Sequence, residues 1–392
     1  MYRARQGSRW RTSLLPFLSL AVLGACTDVA ERAVAPPAAA SLGRAAGPAL
    51  HVSPSGTDTG DCTANPCRTI NFAVSQAEAG DVIAVAAGTY NESVGITKKL
   101  SLVGTNATID AAGKSSPPNG IVISGADAAG TLVTGFTVTH AGLEGIFVDA
   151  TSRITIENNL VVDNDTYGPL NPLCADQPDD CGEAIHLQSV TNSIVRNNVV
   201  RDNVGGILLT DEDGPTYGNL IAENSVLNNS KDCGITLASH HFSLQAPAAP
   251  DVAGVYNNTI LHNTSNGNGA AGIGVFAGPP GAAAWGNLVA NNTANDNGAA
   301  GIMIHSHTPF QYVDKNVITN NSVSGNGIDD DNPIDDNPAG ISVFSAVIPI
   351  PNTVIAGNRV TNEYYGIVSF KAVKLDGLPS NKLDVTVPLK IQ

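Results

Sequence analysis

From residue 144 onward the hydrophobic positions fall into a repeated phrase: "EGIFV" at 144, "EAIHL" at 183, "GGILL" at 205, "CGITL" at 233, "AGIGV" at 271, "AGIMI" at 300, "AGISV" at 339 and "YGIVS" at 365. Alternate residues of each are apolar, the period of a strand with one buried face. A second phrase, bounded by asparagine, follows the first seven: "NLVVDN" at 159, "NVVRDN" at 198, "NSVLNN" at 224, "NTILHN" at 258, "NLVANN" at 287, "NVITNN" at 316 and "NRVTNE" at 358. Aligned on this phrase, the asparagines form two columns five residues apart. One runs Asn159, Asn198, Asn224, Asn258, Asn287, Asn316, Asn358; the other runs Asn164, Asn203, Asn229, Asn263, Asn292, Asn321 and ends at Glu363. Asparagine tolerates left-handed backbone and bonds to neighbouring backbone groups. Stacked from repeat to repeat, its amide also pairs with the amides above and below.

The shortest repeat, from Ala184 to Gly206, spans 22 residues, which suits a coil of three strands and three turns. The spacers are polar and rich in Gly and Asn, so helices between strands do not fit. A β-propeller would need longer, antiparallel four-strand units. The pattern predicts an all-β fold: a single-stranded right-handed parallel β-helix, a three-sided solenoid.

The stretch "HVSPSGTDTGDCTANPCRTINFAVSQAEAGDVIAVAAGTYNESVGITKKLSLVGTNATID", residues 51–110, resembles the opening of pectate-lyase-like right-handed β-helix proteins. The resemblance covers nearly the whole chain after residue 50. It implies a short N-terminal capping helix over Thr69–Ala79, laying Ile70, Ala73, Val74 and Ala77 on the open end of the core. Such a cap matters because an open coil exposes apolar core and unpaired strand. The superfamily holds lyases, hydrolases, epimerases, binding proteins and metal-enzyme maturation factors, so the likeness implies a fold and leaves the activity open.

Ahead of the solenoid, Arg3, Arg5, Arg9 and Arg11 precede the apolar run Leu14–Leu23, and then "LGAC" ends at Cys26. This resembles a bacterial lipobox, which implies a signal peptide over residues 1–25 and a lipidated Cys26. Thr27 after the cysteine, by the same resemblance, points to the outer membrane. Residues 26–49, rich in Ala, Pro and Gly, read as a flexible tether, and residues 50–392 as the β-helix domain. Residues 1–25 carry four arginines and no acidic residue, so their removal moves the formal balance from −15 to −19. An acidic surface argues against nucleic acid, anionic membrane and, without bridging cations, polyanionic glycans. The membrane is then met through the lipid anchor only, and the protein is expected to be a monomer.

Cys62 and Cys67 flank the turn "TANP", and Cys174 and Cys181 bracket "ADQPDD"; each pair is expected to form a disulfide in an oxidising envelope. Cys233 is left over, either buried and reduced or exchanging with the second pair.

The candidate chemistry follows from stacking the repeats on their shared isoleucine. Three residues on, the column reads Asp149, Gln188, Thr210, Ala238, Phe276, His305, Phe344, Phe370; five residues on, it includes Glu212, His240, Gly278 and His307. Coils lie about 4.8 Å apart. Asp211, Glu212, Asp213, His240, His241, His305 and His307 are therefore expected to line one notch beside "AGPPG", residues 277–281. His240, His305 and His307, with Asp211 and Glu212, suit proton transfer in sugar chemistry. Asp213 and His241 would contact substrate, and Phe276 and Phe344 would stack on it. The same histidines with Glu212 suit Zn²⁺ or Cu²⁺, and "GIDDDNPIDDNP" at 327–338 offers Asp329, Asp331 and Asp335 to Ca²⁺. Calcium is the leading expectation, with zinc or copper second. The function expected is that of a lipid-anchored envelope protein that binds an extracellular polysaccharide and cleaves or modifies it. The alternative is a non-catalytic metal-handling or adhesive β-helix.

Overall fold

The computed structural model describes residues 49–114, 118–166, 182–370 and 374–392. Every Gly-Ile phrase is a strand, and together they build one face of a parallel β-helix. Among the described residues this sheet has 11 strands, from Val94–Ile96 to Val387–Ile391, each paired with the strand of the neighbouring coil. Register is kept throughout: Ile146, Ile185, Ile207, Ile235, Ile273, Ile302, Ile341 and Ile367 stack in a single column. All are buried in the core, and each such side chain contributes about 1.5–3 kcal/mol. The preceding glycine is required by close approach between coils. A Cβ on Gly206 would lie 1.9 Å from the Gly234 carbonyl, and one on Gly234 would lie 1.9 Å from Ser265 Oγ.

A sheet of 21 described strands wraps the remaining faces in short strands such as Leu220–Ala222 and Ser225–Leu227. A third, of four, holds Thr216–Tyr217, Val255–Tyr256, Ala283–Trp285 and Tyr312–Asp314. Along this third sheet Tyr217, Tyr256 and Trp285 stack at centroid spacings of 5.0 and 4.3 Å, and Tyr312 packs tilted against Trp285 at 5.8 Å.

The asparagine columns are present, but as three ladders rather than two, and their pairing corrects the alignment drawn from the phrases. Asn219, Asn258, Asn287 and Asn316 form one. Asn159, Asn198, Asn224, Asn263, Asn292, Asn321, Asn358 and Asn381 form the second. Asn164, Asn203, Asn229, Asn268, Asn297 and Asn326 form the third, which ends on Glu363. Asn224 therefore pairs with Asn263, not Asn258. The middle coils carry three rungs at five-residue spacing, so two overlapping phrases of the same shape fit one coil. A left-handed residue precedes the rungs, as at Asn257, His262 and Gly267, with φ of 53°, 56° and 67°; the rung amide then turns inward and bonds along the stack.

The capping helix spans Ile70–Gln76. Thr69 is its N-cap, and Ile70, Ala73 and Val74 are buried against the first coil. Glu92 accepts the N–H groups of Ile70 and Asn71 at 2.7 and 2.9 Å, placing a carboxylate where the helix end favours one. The Cys62–Cys67 disulfide is formed, with Cα atoms 5.1 Å apart. The expected Cys174–Cys181 pair and Cys26 lie outside the described residues, as do residues 1–48, the expected signal peptide and nearly all of the tether. Cys233 is buried. Among the described residues no helix is long and apolar enough to cross a membrane.

Candidate functional site

All strands of the Gly-Ile sheet run in one direction, so the loops leaving them gather at one corner of the solenoid. These loops bond to one another: Ser243 N–H donates to Pro280 O at 2.7 Å, and Gly281 N–H to Pro309 O at 3.3 Å. At the earlier coils the corner is open to solvent. A groove of about 440 Å³ opens there, lined by Ala126, Ala129, Thr151, Arg153, Asp213 and Tyr217 among others. Tyr217 is the end of the aromatic stack, with one ring face on Tyr256 and Thr191 in register with it on the preceding coil.

Beside Asp213 stands the first candidate pair, Glu212 on the same coil and His240 on the next. His240 Nδ1 lies 2.6 Å from Glu212 Oε1, and both side chains are largely covered. Burial favours the neutral acid at Glu212. The hydrogen bond and charge of His240 outweigh it and bring the carboxyl down to about 2. Asp211 is placed otherwise than a reacting group. It is fully buried and accepts from Ser239 Oγ at 2.8 Å, His240 N–H at 2.6 Å and the Gly254 N–H. It pins both ends of the 240–254 loop and the backbone of His240. Burial pushes its carboxyl upward, partly offset by these bonds. Asp213 sits in the groove wall, its Oδ2 accepting from Gln188 Nε2 at 3.0 Å.

The other histidines form a second centre on the outer face of the same sheet. In the strand Ile302–Ser306, His305 pairs in register with Phe276 on one side and Phe344 on the other. Its ring packs between theirs at 5.3 and 5.6 Å and is wholly buried. His305 Nε2 lies 2.8 Å from Asp329 Oδ2, while Nδ1 lies 3.2 Å from His307 Nε2 and 3.6 Å from Asp331 Oδ2. Burial lowers the affinity of His305 for a proton, but Asp329 and Asp331 raise it further, so the net shift is upward. His307 is shifted downward by burial and by the charge of His305, against the pull of the two carboxylates.

The single notch expected from the stacked columns is therefore two centres on one face. Ser239, Ala277 and Ser306 are in register, so His240 and His307, each one residue further on, are two coil spacings apart, roughly 10 Å. No hydrogen bond joins His241 to either centre among the described residues, and it is partly exposed. Phe276, His305, Phe344 and Phe370 do form an aromatic strip, the last two 5.9 Å apart, but Phe344 is buried under His307 at 5.7 Å. The acidic loop does not gather Asp329, Asp331 and Asp335 into one cage among the described residues. Asp329 and Asp331 turn to His305. Asp335 Oδ2 instead accepts the Asp329 N–H at 3.3 Å, and burial pushes its carboxyl up to about 7. Arg153 and Tyr217 escaped the sequence reading because neither lies on the isoleucine-aligned columns. A third group, Glu144, Glu183 and His186, also lies buried on the sheet's outer face. His186 sits one residue after the shared isoleucine, outside the columns that the candidate site was drawn from.

A parallel solenoid with an Asn-laddered interior and its polar groups gathered at one corner defines the β-helix class. The family model for the right-handed β-helix region matches residues 100–311, and the chain belongs to that family. No curated protein matches it in sequence. Among solved structures it is similar to the A-module of the mannuronan C-5 epimerase of Azotobacter vinelandii, with a TM-score of 0.50, 14% identity, and 79% of this chain and 88% of that one covered. It is similar also to a surface adhesin of Streptococcus pneumoniae, with TM-score 0.50, 14% identity and coverages of 82% and 88%. The catalytic domain of an α-1,3-glucanase bound to nigerose gives 0.52, 13%, 88% and 67%. At these identities the likeness is one of fold.

Proposed function

We propose that this protein binds an extracellular polysaccharide along its corner groove and acts on it with the Glu212–His240 pair. The observation that carries the reading is continuity. The 440 Å³ groove ends at Asp213, and the pair stands on the adjoining residue and the next coil. Tyr217 offers the end of a ring stack to a sugar face, and Arg153 and Asp213 offer hydrogen bonds to hydroxyls. Glu212, held ionised, fixes the orientation of the His240 ring, which serves as the proton-transfer group. With a formal charge of −15, the chain favours a neutral glycan. That the same fold carries a mannuronan epimerase and an α-1,3-glucanase accords with this reading; the groove and the pair argue for it.

A purely adhesive role is the second reading. It is favoured by Phe242 and Phe310, 62% and 41% exposed on the stacked corner loops. Incubation with neutral and acidic polysaccharides, read by mass spectrometry for new products, separates the two. Products lost in His240→Ala and Glu212→Gln support the enzyme. Binding without products, weakened by Tyr217→Ala, supports adhesion. No binding to any glycan sinks both. We place the protein in the bacterial envelope as a monomer, lipidated at Cys26 in "LGAC" and held at the outer membrane. Cys26→Ser is expected to move it from the membrane to the soluble fraction, and unchanged membrane association would refute the anchor.

A further inference from the structure

We infer that His305, His307 and Asp331 form a binding site for a divalent transition metal ion of the zinc class, with Asp329 holding His305 in place from behind. The donor atoms His305 Nδ1, His307 Nε2 and Asp331 Oδ2 all lie within 4.8 Å of one another. Two of the separations are 3.2 and 3.6 Å. A tetrahedral ion with ligand bonds of 2.0–2.1 Å sets its ligands about 3.3 Å apart. The three groups are thus spaced as an ion would hold them, with small side-chain movement. Two imidazoles and one carboxylate suit a zinc-class ion, whereas calcium takes an all-oxygen shell.

The surroundings have the features of a built site. The far nitrogen of His305 is bonded to Asp329, a carboxylate with no solvent exposure. Such a carboxylate–histidine link fixes the ring and leaves the near nitrogen aimed at the ion. Phe276 and Phe344 lock the ring from both sides. The acidic loop that supplies Asp329 and Asp331 is itself tied down. Asn332 Nδ2 donates to Ser342 Oγ at 3.0 Å, and Asp336 Oδ1 accepts from Tyr365 Oη and Lys390 Nζ at 2.7 and 3.0 Å. Asp331 is 61% exposed on its side chain, so solvent reaches the cluster, as it does in sites that bind water or a substrate oxygen.

The inference stands apart from the glycan reading, since metal binding alone is its readout. The full chain, stripped with chelator, is titrated with Zn²⁺ by calorimetry and then with Co²⁺ in the visible spectrum; Ca²⁺ and Mg²⁺ serve as comparisons. One Zn²⁺ per chain is expected, with Ca²⁺ and Mg²⁺ failing to compete. His307→Ala and Asp331→Ala, at half-buried and exposed positions, are expected to weaken Zn²⁺ at least 10-fold. Asp329→Asn is expected to weaken it about 10–100-fold, and His240→Ala to leave it unchanged. Absence of saturable Zn²⁺ binding would overturn the site. So would undiminished binding in both His307→Ala and Asp331→Ala, or a thiolate charge-transfer band with Co²⁺, which would place the ion at a cysteine.

Discussion

Glu363 Oε1 accepts both the backbone N–H and the side-chain Nδ2 of Asn326, at 2.8 and 2.9 Å. It stands where the third ladder would otherwise have another asparagine. An amide there would be neutral. The carboxyl is buried, and its other oxygen has no hydrogen-bond partner among the described residues. Burial pushes the group up to about 7, against the Asn326 bonds that favour ionisation. The folded chain therefore holds this proton over a range where the unfolded chain, near 4.5, has lost it. Stability contributed by the protonated group is full below about 4.5 and is lost as pH rises through about 7. Glu363→Gln keeps an acceptor for Asn326 and removes the charge. It is expected to melt higher than the parent at pH 8, by up to about 3 kcal/mol in stability, with the gap closing at pH 5. Equal melting temperatures at both values would show that Glu363 does not titrate between them.

Asn258 tests the ladder itself. Its Nδ2 donates to Asn287 Oδ1 at 3.2 Å and Thr216 O at 3.1 Å, and its Oδ1 accepts from the backbone and side-chain nitrogens of Asn219. Asn258→Ala strips partners from several fully buried polar groups at once. Each group left bare costs about 1–3 kcal/mol, so a loss on the order of 3 kcal/mol is expected in a denaturant titration. Asn362→Ala, at an exposed turn outside the rungs, should cost far less. Comparable losses at the two positions would mean the ladder bonds carry no special weight.

The fold was legible because the phrase recurs so regularly: a small residue for close approach, glycine in every copy but Ala184, then alternate apolar residues on one face. The column three residues after the isoleucine was also legible, and the structure keeps His305 between Phe276 and Phe344 in that register. The ladder pairing beyond Asn224 was not, because "NLIAEN" at 219 and "NSVLNN" at 224 share a rung and look alike, so the five-residue step between them is invisible to a phrase alignment. The partner of His305 was hidden for a different reason. Asp329 reaches it across 24 residues from an insertion, residues 327–338, that follows the last strand of its coil. Period fixes strands, while loop length decides which loop carboxylate meets which strand histidine. Arg153 and Tyr217 reach the groove likewise, through turn geometry.

Asp211 is where the loop positions are decided for the Glu212–His240 pair. Its two oxygens face three donors, from Ser239 Oγ, His240 N–H and Gly254 N–H. Asp211→Asn is nearly the same size, yet either orientation of the amide turns an NH₂ group toward at least one of those donors. The charge that strengthens the three bonds is lost as well. A stability loss of about 2–3 kcal/mol is expected. Because the bonds tie down both ends of the 240–254 loop, the variant should also be cut by protease within that loop well before the parent is. His240 should lose its fixed approach to Glu212, so any glycan turnover should fall in the variant with affinity for the glycan little changed. A variant as stable and as protease-resistant as the parent would show that the loop is held by its contacts with Pro280 and Gly281 instead.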